Sequence, residues 1–78
     1  MYHFKLPDLG EGIHEAEVIQ WFVKVGDTIE EDASLVEVET DKASVTIPSP
    51  KGGTIVELNA RVGDTIHVGD VVAVIDDG

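Results

Sequence analysis

The sequence predicts an all-β fold of two similar sheets packed face to face, a β-sandwich or small barrel. Three observations carry this prediction. The chain holds 12 Val, 7 Ile and 5 Thr among 78 residues, and β-branched side chains are stiff and pack well on a pleated surface. Short runs of strand character recur throughout, cut by Gly, Pro and Asp, while helical periodicity is nearly absent. The chain also repeats itself: VGDTI stands at residues 25–29 and again at 62–66, an offset of 37. Aligned on that motif, AEVIQWFVKVGDTI (16–29) matches GTIVELNARVGDTI (53–66), with Val18 against Ile55, Ile19 against Val56 and Lys24 against Arg61. Each half is too small to bury its own apolar face, and two halves together enclose one core.

The elements follow in order. A first strand is expected over residues 2–6, ended by Pro7. DLGEGI (8–13) is a loop in which Gly10 and Gly12 permit tight angles. A second strand covers 15–23; Trp21 and Phe22 are neighbours on it and point to opposite faces, one into the core and one partly exposed. Gly26 and Asp27 make a turn, the aspartate bonding nearby backbone, and a short extended piece follows at 28–29. In LVEVET (35–40), Val36, Val38 and Thr40 share one face, and Leu35, Glu37 and Glu39 the other. Asp41-Lys42 then forms a two-residue connection to a strand at 43–47, whose Val45 and Ile47 pack inward with the first apolar set. IPSPKGG (47–53), stiffened by Pro48 and Pro50 and loosened by two glycines, ends the hairpin and crosses to the second half. There the pattern recurs: a strand over 53–59, a turn at Gly63-Asp64, a short piece at 65–66 and a last strand over 71–75.

Composition narrows the function. A chain of 78 residues is one small domain, and one of that size buries only about 60–65% of its unfolded surface. With no cysteine, it has neither a disulfide framework nor a thiolate zinc site. The net charge of −11, from 16 acids against 5 bases, repels phosphate backbones and anionic lipid, which argues against nucleic-acid and membrane partners. The acids keep a small domain soluble or, in a second reading, also meet basic partner proteins. No apolar run approaches the ~18 residues of a membrane span, and the N-terminus resembles neither a signal nor a transit peptide. A native first methionine implies the cytoplasm; a non-native one leaves the mitochondrial matrix open. His3, His14 and His67 lack ligand-like spacing, so no metal site is expected. No nucleophile–base pair or phosphate-cradling loop is visible, so no catalytic residue is expected in the isolated domain.

Lys42, one of four lysines, sits at the hairpin tip. Asp-Lys is not the Asn-Gly or Asp-Gly pair of primed turns, and lysine gains nothing from positive φ. The turn should therefore use ordinary right-handed angles. Turn geometry does not require a lysine there, and taken alone it would serve solubility. Advancing Lys42 by 37 gives position 79, just past the last residue. The tip and the C-terminus are thus equivalent under the repeat, and are expected at opposite ends of the domain.

ETDKASVTIPSP (39–50), with its Asp41-Lys42-Ala43 core, resembles the lipoyl-lysine hairpin of the dihydrolipoamide acyltransferases of 2-oxo acid dehydrogenase complexes. KLPDLGEGIHEAEVIQWFVKVGD (5–27), with Leu-Gly-Glu-Gly-Ile at 9–13, resembles the opening of the same domains, and the resemblance spans nearly the whole chain. It implies a flattened β-barrel or sandwich of two four-stranded antiparallel sheets with quasi-two-fold symmetry. By the same resemblance, residues 1–78 form one lipoyl domain, the N-terminal part of a longer acyltransferase chain. Lipoic acid would be amide-linked to Lys42 as a swinging arm. The arm would accept an acyl group and electrons from a thiamine-diphosphate-dependent 2-oxo acid decarboxylase and deliver the acyl group to coenzyme A at the acyltransferase core. Dihydrolipoamide dehydrogenase would reoxidise it.

The resemblance further implies that Asp41, Lys42 and Ala43 are read by lipoate ligase or lipoyl transferase. Glu11, Gly12 and Ile13, with Asp41, are read by the decarboxylase; Glu37 and Glu39 either join that surface or form a solvated face. The isolated domain is expected to be a monomer. Biotin carriers of similar fold flank their lysine with methionines, whereas the only methionine here is Met1. That favours lipoate over the alternative, a biotin carrier domain of a carboxylase. DKASVTI looks most like branched-chain 2-oxo acid carriers and IPSP also resembles pyruvate ones; a branched-chain complex is the expectation, with a pyruvate dehydrogenase lipoyl domain as the alternative.

Overall fold

The computed structural model describes residues 1–10 and 12–78. Among these, eight strands follow in chain order: β1 (Tyr2–Lys5), β2 (Glu15–Trp21), β3 (Thr28–Ile29), β4 (Ser34–Glu39), β5 (Ser44–Pro48), β6 (Gly53–Leu58), β7 (Thr65–His67) and β8 (Val71–Asp76). They form two four-stranded antiparallel sheets, ordered β1-β8-β6-β3 and β5-β4-β2-β7. Among the described residues no strand of one sheet pairs with a strand of the other, so the molecule is a flattened sandwich rather than a closed barrel. Shifting every strand number by four turns one order into the other. That is the quasi-two-fold symmetry announced by the 37-residue repeat.

The symmetry extends to irregularities. The β2–β4 ladder slips between Val18 and Gln20, and the β6–β8 ladder slips at the equivalent Ile55 and Glu57. Pairing of β5 with β4 slips between Ser34 and Val36, and pairing of β1 with β8 slips between Val71 and Ala73. The latter bulges overturn one expectation. Strict alternation puts Leu35 on the outward face, yet Leu35 and Val36 are both fully buried. An extra residue in a bulge breaks the period of two, so two consecutive side chains turn inward; Val72 and Ala73 repeat this in the other half. Between the sheets lies one core, built from Phe4, Ile55, Val72 and Ile75 on one side and Val18, Val36, Val38 and Ile47 on the other.

Each VGD turn is fastened to the opposite half. The Gly26 amide donates to Ile55 O at 2.7 Å and the Ile55 amide to Asp27 O at 2.8 Å; Gly63 and Val18, then Val18 and Asp64, repeat the pair at 2.8 Å each. Within the turns, the Asp27 carboxylate accepts the Lys24 amide at 2.9 Å and the Asp64 carboxylate the Arg61 amide at 3.0 Å. A third copy of the same turn, HVGD at 67–70, closes with Asp70 accepting the His67 amide at 3.0 Å. Its counterpart in the first half holds Asp32 where the second has Gly69, and both have positive φ, 71° and 93°. Trp21 packs against the core and donates its Nε1 proton to Ala60 O at 3.0 Å, while Phe22 is exposed.

The register also sets the long axis. Tyr2, Asp76 and Thr54 lie together at one end through the β1–β8–β6 pairings. From there β6 runs to Leu58, and Ala60 and the second VGD turn lead to β7 beside Glu15 and Glu17. Glu17 in turn pairs with Glu39, the last residue of β4. The termini and the β4–β5 tip therefore occupy opposite ends of a molecule 35 Å long and 18–19 Å across.

Candidate functional site

The β4–β5 hairpin ends its regular ladder at Glu39 and Ser44. Beyond that pair the chain turns through Thr40, Asp41, Lys42 and Ala43. Neither Asp41 nor Lys42 has positive φ, as the absence of an Asn-Gly or Asp-Gly pair leads one to expect. The Thr40 amide donates to Ala43 O at 2.9 Å. The Thr40 side chain supplies the rest: its Oγ1 donates to Ala43 O at 3.0 Å, and accepts the Lys42 amide at 3.2 Å and the Ala43 amide at 3.1 Å. One hydroxyl thus spends its donor and both lone pairs on the two-residue connection. Asp41, Lys42 and Ala43 are exposed.

The tip does not stand alone. An open groove of about 540 Å³ separates it from the segment leading into β2. Gly12, Ile13, His14, Glu15 and Glu17 line one side; Glu39, Thr40, Asp41 and Lys42 line the other, with Thr65 contributing from β7. Gly12 reaches its place with φ of 75°, and the Ile13 amide donates to Gly10 O at 2.9 Å. The symmetry explains why this segment is available. The link from β1 to β2 spans nine residues, 6–14, whereas its counterpart from β5 to β6 spans four, 49–52. The added length falls beside Lys42.

Of the residues singled out in the sequence, the structure brings Gly12, Ile13, Asp41 and Lys42 to one groove. Ala43 is in the tip but off the groove wall, and Glu11 lies outside the described residues. Glu39 faces the groove; Glu37, half-buried along β4, does not line it. Sequence reasoning missed His14, Glu15, Glu17 and Thr65. Glu15 and Glu17 were legible only as alternate positions of the strand expected over 15–23; their place beside β4 comes from the sheet pairing. Glu15, Glu17, Glu39 and Asp41 make the groove strongly acidic, and Glu17 stands directly opposite Glu39 in the ladder, an arrangement that costs stability. His67 sits near two acids, 4.0 Å from Glu15 and 3.6 Å from Asp70.

Comparison with known proteins gives a consistent result. The family model described as "Biotin-requiring enzyme", which covers biotin- and lipoyl-bearing domains, matches residues 2–75. Two relatives, from Acholeplasma laidlawii and Staphylococcus aureus, are each 56% identical, over 100% and 96% of this chain. Both are described as the dihydrolipoyllysine-residue acetyltransferase component of a pyruvate dehydrogenase complex. The chain spans only 14% and 17% of their lengths. Among solved structures, the lipoyl domain of the Azotobacter vinelandii 2-oxoglutarate dehydrogenase complex matches with a TM-score of 0.77 and 29% identity, over 96% of this chain and 95% of that one. Kluyveromyces lactis urea carboxylase matches with a TM-score of 0.72 at 24% identity, over 97% of this chain and 7% of that one, a likeness of fold alone.

Proposed function

Since the chain belongs to the family of biotin- and lipoyl-bearing domains, we propose that it is a lipoyl carrier domain whose attachment residue is Lys42. The observation that carries this reading is an exposed lysine at the apex of the β4–β5 hairpin, flanked by Asp41 and Ala43. A ligase can enclose a narrow tip of that kind, and small Ala43 leaves one flank open. Nothing about the site calls for a pocket: a carrier must show its cargo to several active sites in turn, and an exposed tip serves that better than a cavity. When bound, lipoic acid supplies a dithiolane that carries acyl groups and electrons. The chain's own part is to present Nζ of Lys42 for amide formation, which removes that side chain's charge, and to hold the turn at the end of a rigid hairpin. Asp41, Lys42 and Ala43 are the residues the ligase reads. Glu11, Gly12, Ile13 and Asp41 are the residues the decarboxylase reads; of these, Gly12, Ile13 and Asp41 line one groove.

The same reading makes the chain the N-terminal part of a longer acyltransferase. It would work with a thiamine-diphosphate-dependent 2-oxo acid decarboxylase, with dihydrolipoamide dehydrogenase and with its own acyltransferase core. The branched-chain expectation finds no support in the comparisons. The 56% identical relatives are pyruvate dehydrogenase components, and pyruvate is therefore the 2-oxo acid proposed here. Biotin is the second reading, kept by the family's breadth. It is disfavoured by the absence of methionine on either side of Lys42.

The test is to incubate the unmodified domain with lipoate ligase, lipoic acid and ATP, with a biotin-ligase reaction and Lys42→Ala alongside, and to measure intact mass with peptide mapping. One lipoyl group on Lys42 in the wild type and none in Lys42→Ala is the expected result. A mass gain only with biotin ligase would move the chain to the carboxylase carriers.

A further inference from the structure

We propose that Thr40 is a positioning residue for Lys42: its hydroxyl, rather than the hairpin backbone, fixes the turn that presents the lysine. The inference rests on the carrier reading of Lys42.

Two-residue hairpins normally use primed turns, with positive φ, because their twist matches that of the strands; ordinary turn angles splay the strands apart. Here the connection is Asp-Lys, with no positive φ at either residue, and the loop closes without the full reciprocal backbone pair between Thr40 and Ala43. One half of that pair is present, from the Thr40 amide to Ala43 O at 2.9 Å. In place of the other half, the Ala43 amide donates to Thr40 Oγ1 at 3.1 Å, and the Lys42 amide donates to the same oxygen at 3.2 Å. The hydroxyl proton returns to Ala43 O at 3.0 Å. Thr40 therefore holds the lysine's own backbone as well as the residue after it. Its half-buried place between Glu39 and the exposed tip keeps the side chain anchored on the ladder while the turn projects beyond it.

The consequence is a division of labour. A lysine at the apex excludes the Asn-Gly or Asp-Gly chemistry that would order the turn by itself. Ordering passes to the hydroxyl two positions earlier. The side-chain direction of Lys42 then depends on Thr40, although Thr40 touches neither the amide bond to be made nor the arm.

Three variants separate this role from a merely structural one. Thr40→Ser keeps the hydroxyl. Thr40→Val keeps the shape and the β-branch without it, and Thr40→Ala removes it without adding volume. For each, initial rates of modification by lipoate ligase would be measured against domain concentration. Thermal unfolding and amide hydrogen exchange at Lys42 and Ala43 would be followed on the same folded samples. Thr40→Ser should stay within about twofold of wild type in kcat/KM. Thr40→Val and Thr40→Ala should fall at least about fivefold, the weight of one net hydrogen bond, with faster exchange at both amides.

Equal kcat/KM for the folded Val and Ala variants and wild type would overturn the proposal, even if their Tm fell. So would unchanged exchange at Lys42 and Ala43. Absence of any modification in the wild type would instead sink the carrier reading, and the two failures are thereby distinguishable.

Discussion

Gly53 is the position where one added carbon does most harm. A Cβ there would lie 2.3 Å from the Asp76 carbonyl oxygen and 2.8 Å from Ile75 Cγ2, and neither can withdraw without parting β6 from β8. Gly53→Ala should destabilise by about 3 kcal/mol, at the upper end for overpacking. Circular dichroism melts should then show Tm lowered by more than about 10 °C; a shift of only a degree or two would mean that the β6–β8 contact is softer than it stands. Lys42 marks the opposite extreme, exposed at the tip, where truncation removes almost no packing. Lys42 and Thr40 differ in how readable they were. The Asp-Lys-Ala core points to Lys42 directly, whereas the role of the Thr40 hydroxyl depends on a rotamer and on turn angles that no pattern of letters contains.

At the level of elements, eight strands were legible almost to the residue, because runs of Val, Ile and Thr between Gly, Pro and Asp leave little choice. The repeat showed more still, since it placed two sheets before any contact was known. What escaped were the bulges. Leu35 was assigned to the outer face by alternation, and only the slip between Ser34 and Val36 turns it inward. The groove escaped for a related reason: the extra residues of the β1–β2 link could be counted, but not their fold against the hairpin. The repeat also yields a test of the paired turns. Asp32 holds a left-handed φ of 71° where its counterpart is Gly69. An L-residue there costs roughly 1–2 kcal/mol, and glycine returns part of that as chain entropy. Asp32→Gly should therefore raise stability by about 0.5 kcal/mol, read as an increase of a few degrees in Tm. A decrease would mean that the Asp32 side chain contributes more than its backbone costs.

Over the whole molecule, charge is the dominant liability. A net −11 on 78 residues, with Glu17 set against Glu39, makes the folded state self-repelling. Raising NaCl from about 10 mM to about 200 mM, which shortens the Debye length from ~30 Å to below ~10 Å, should raise Tm by several degrees in calorimetry. A Tm that falls with salt would show attractive charge pairs outweighing the repulsion. The end-to-end layout has a mechanical consequence as well. A pull on residue 78 along the long axis drags β8, which lies between β1 and β6, so the load is shared in shear by two ladders. The β4–β5 hairpin belongs to the other sheet and shares no ladder with β8. No ladder therefore carries tension from the terminal strand straight into the turn closed by Thr40.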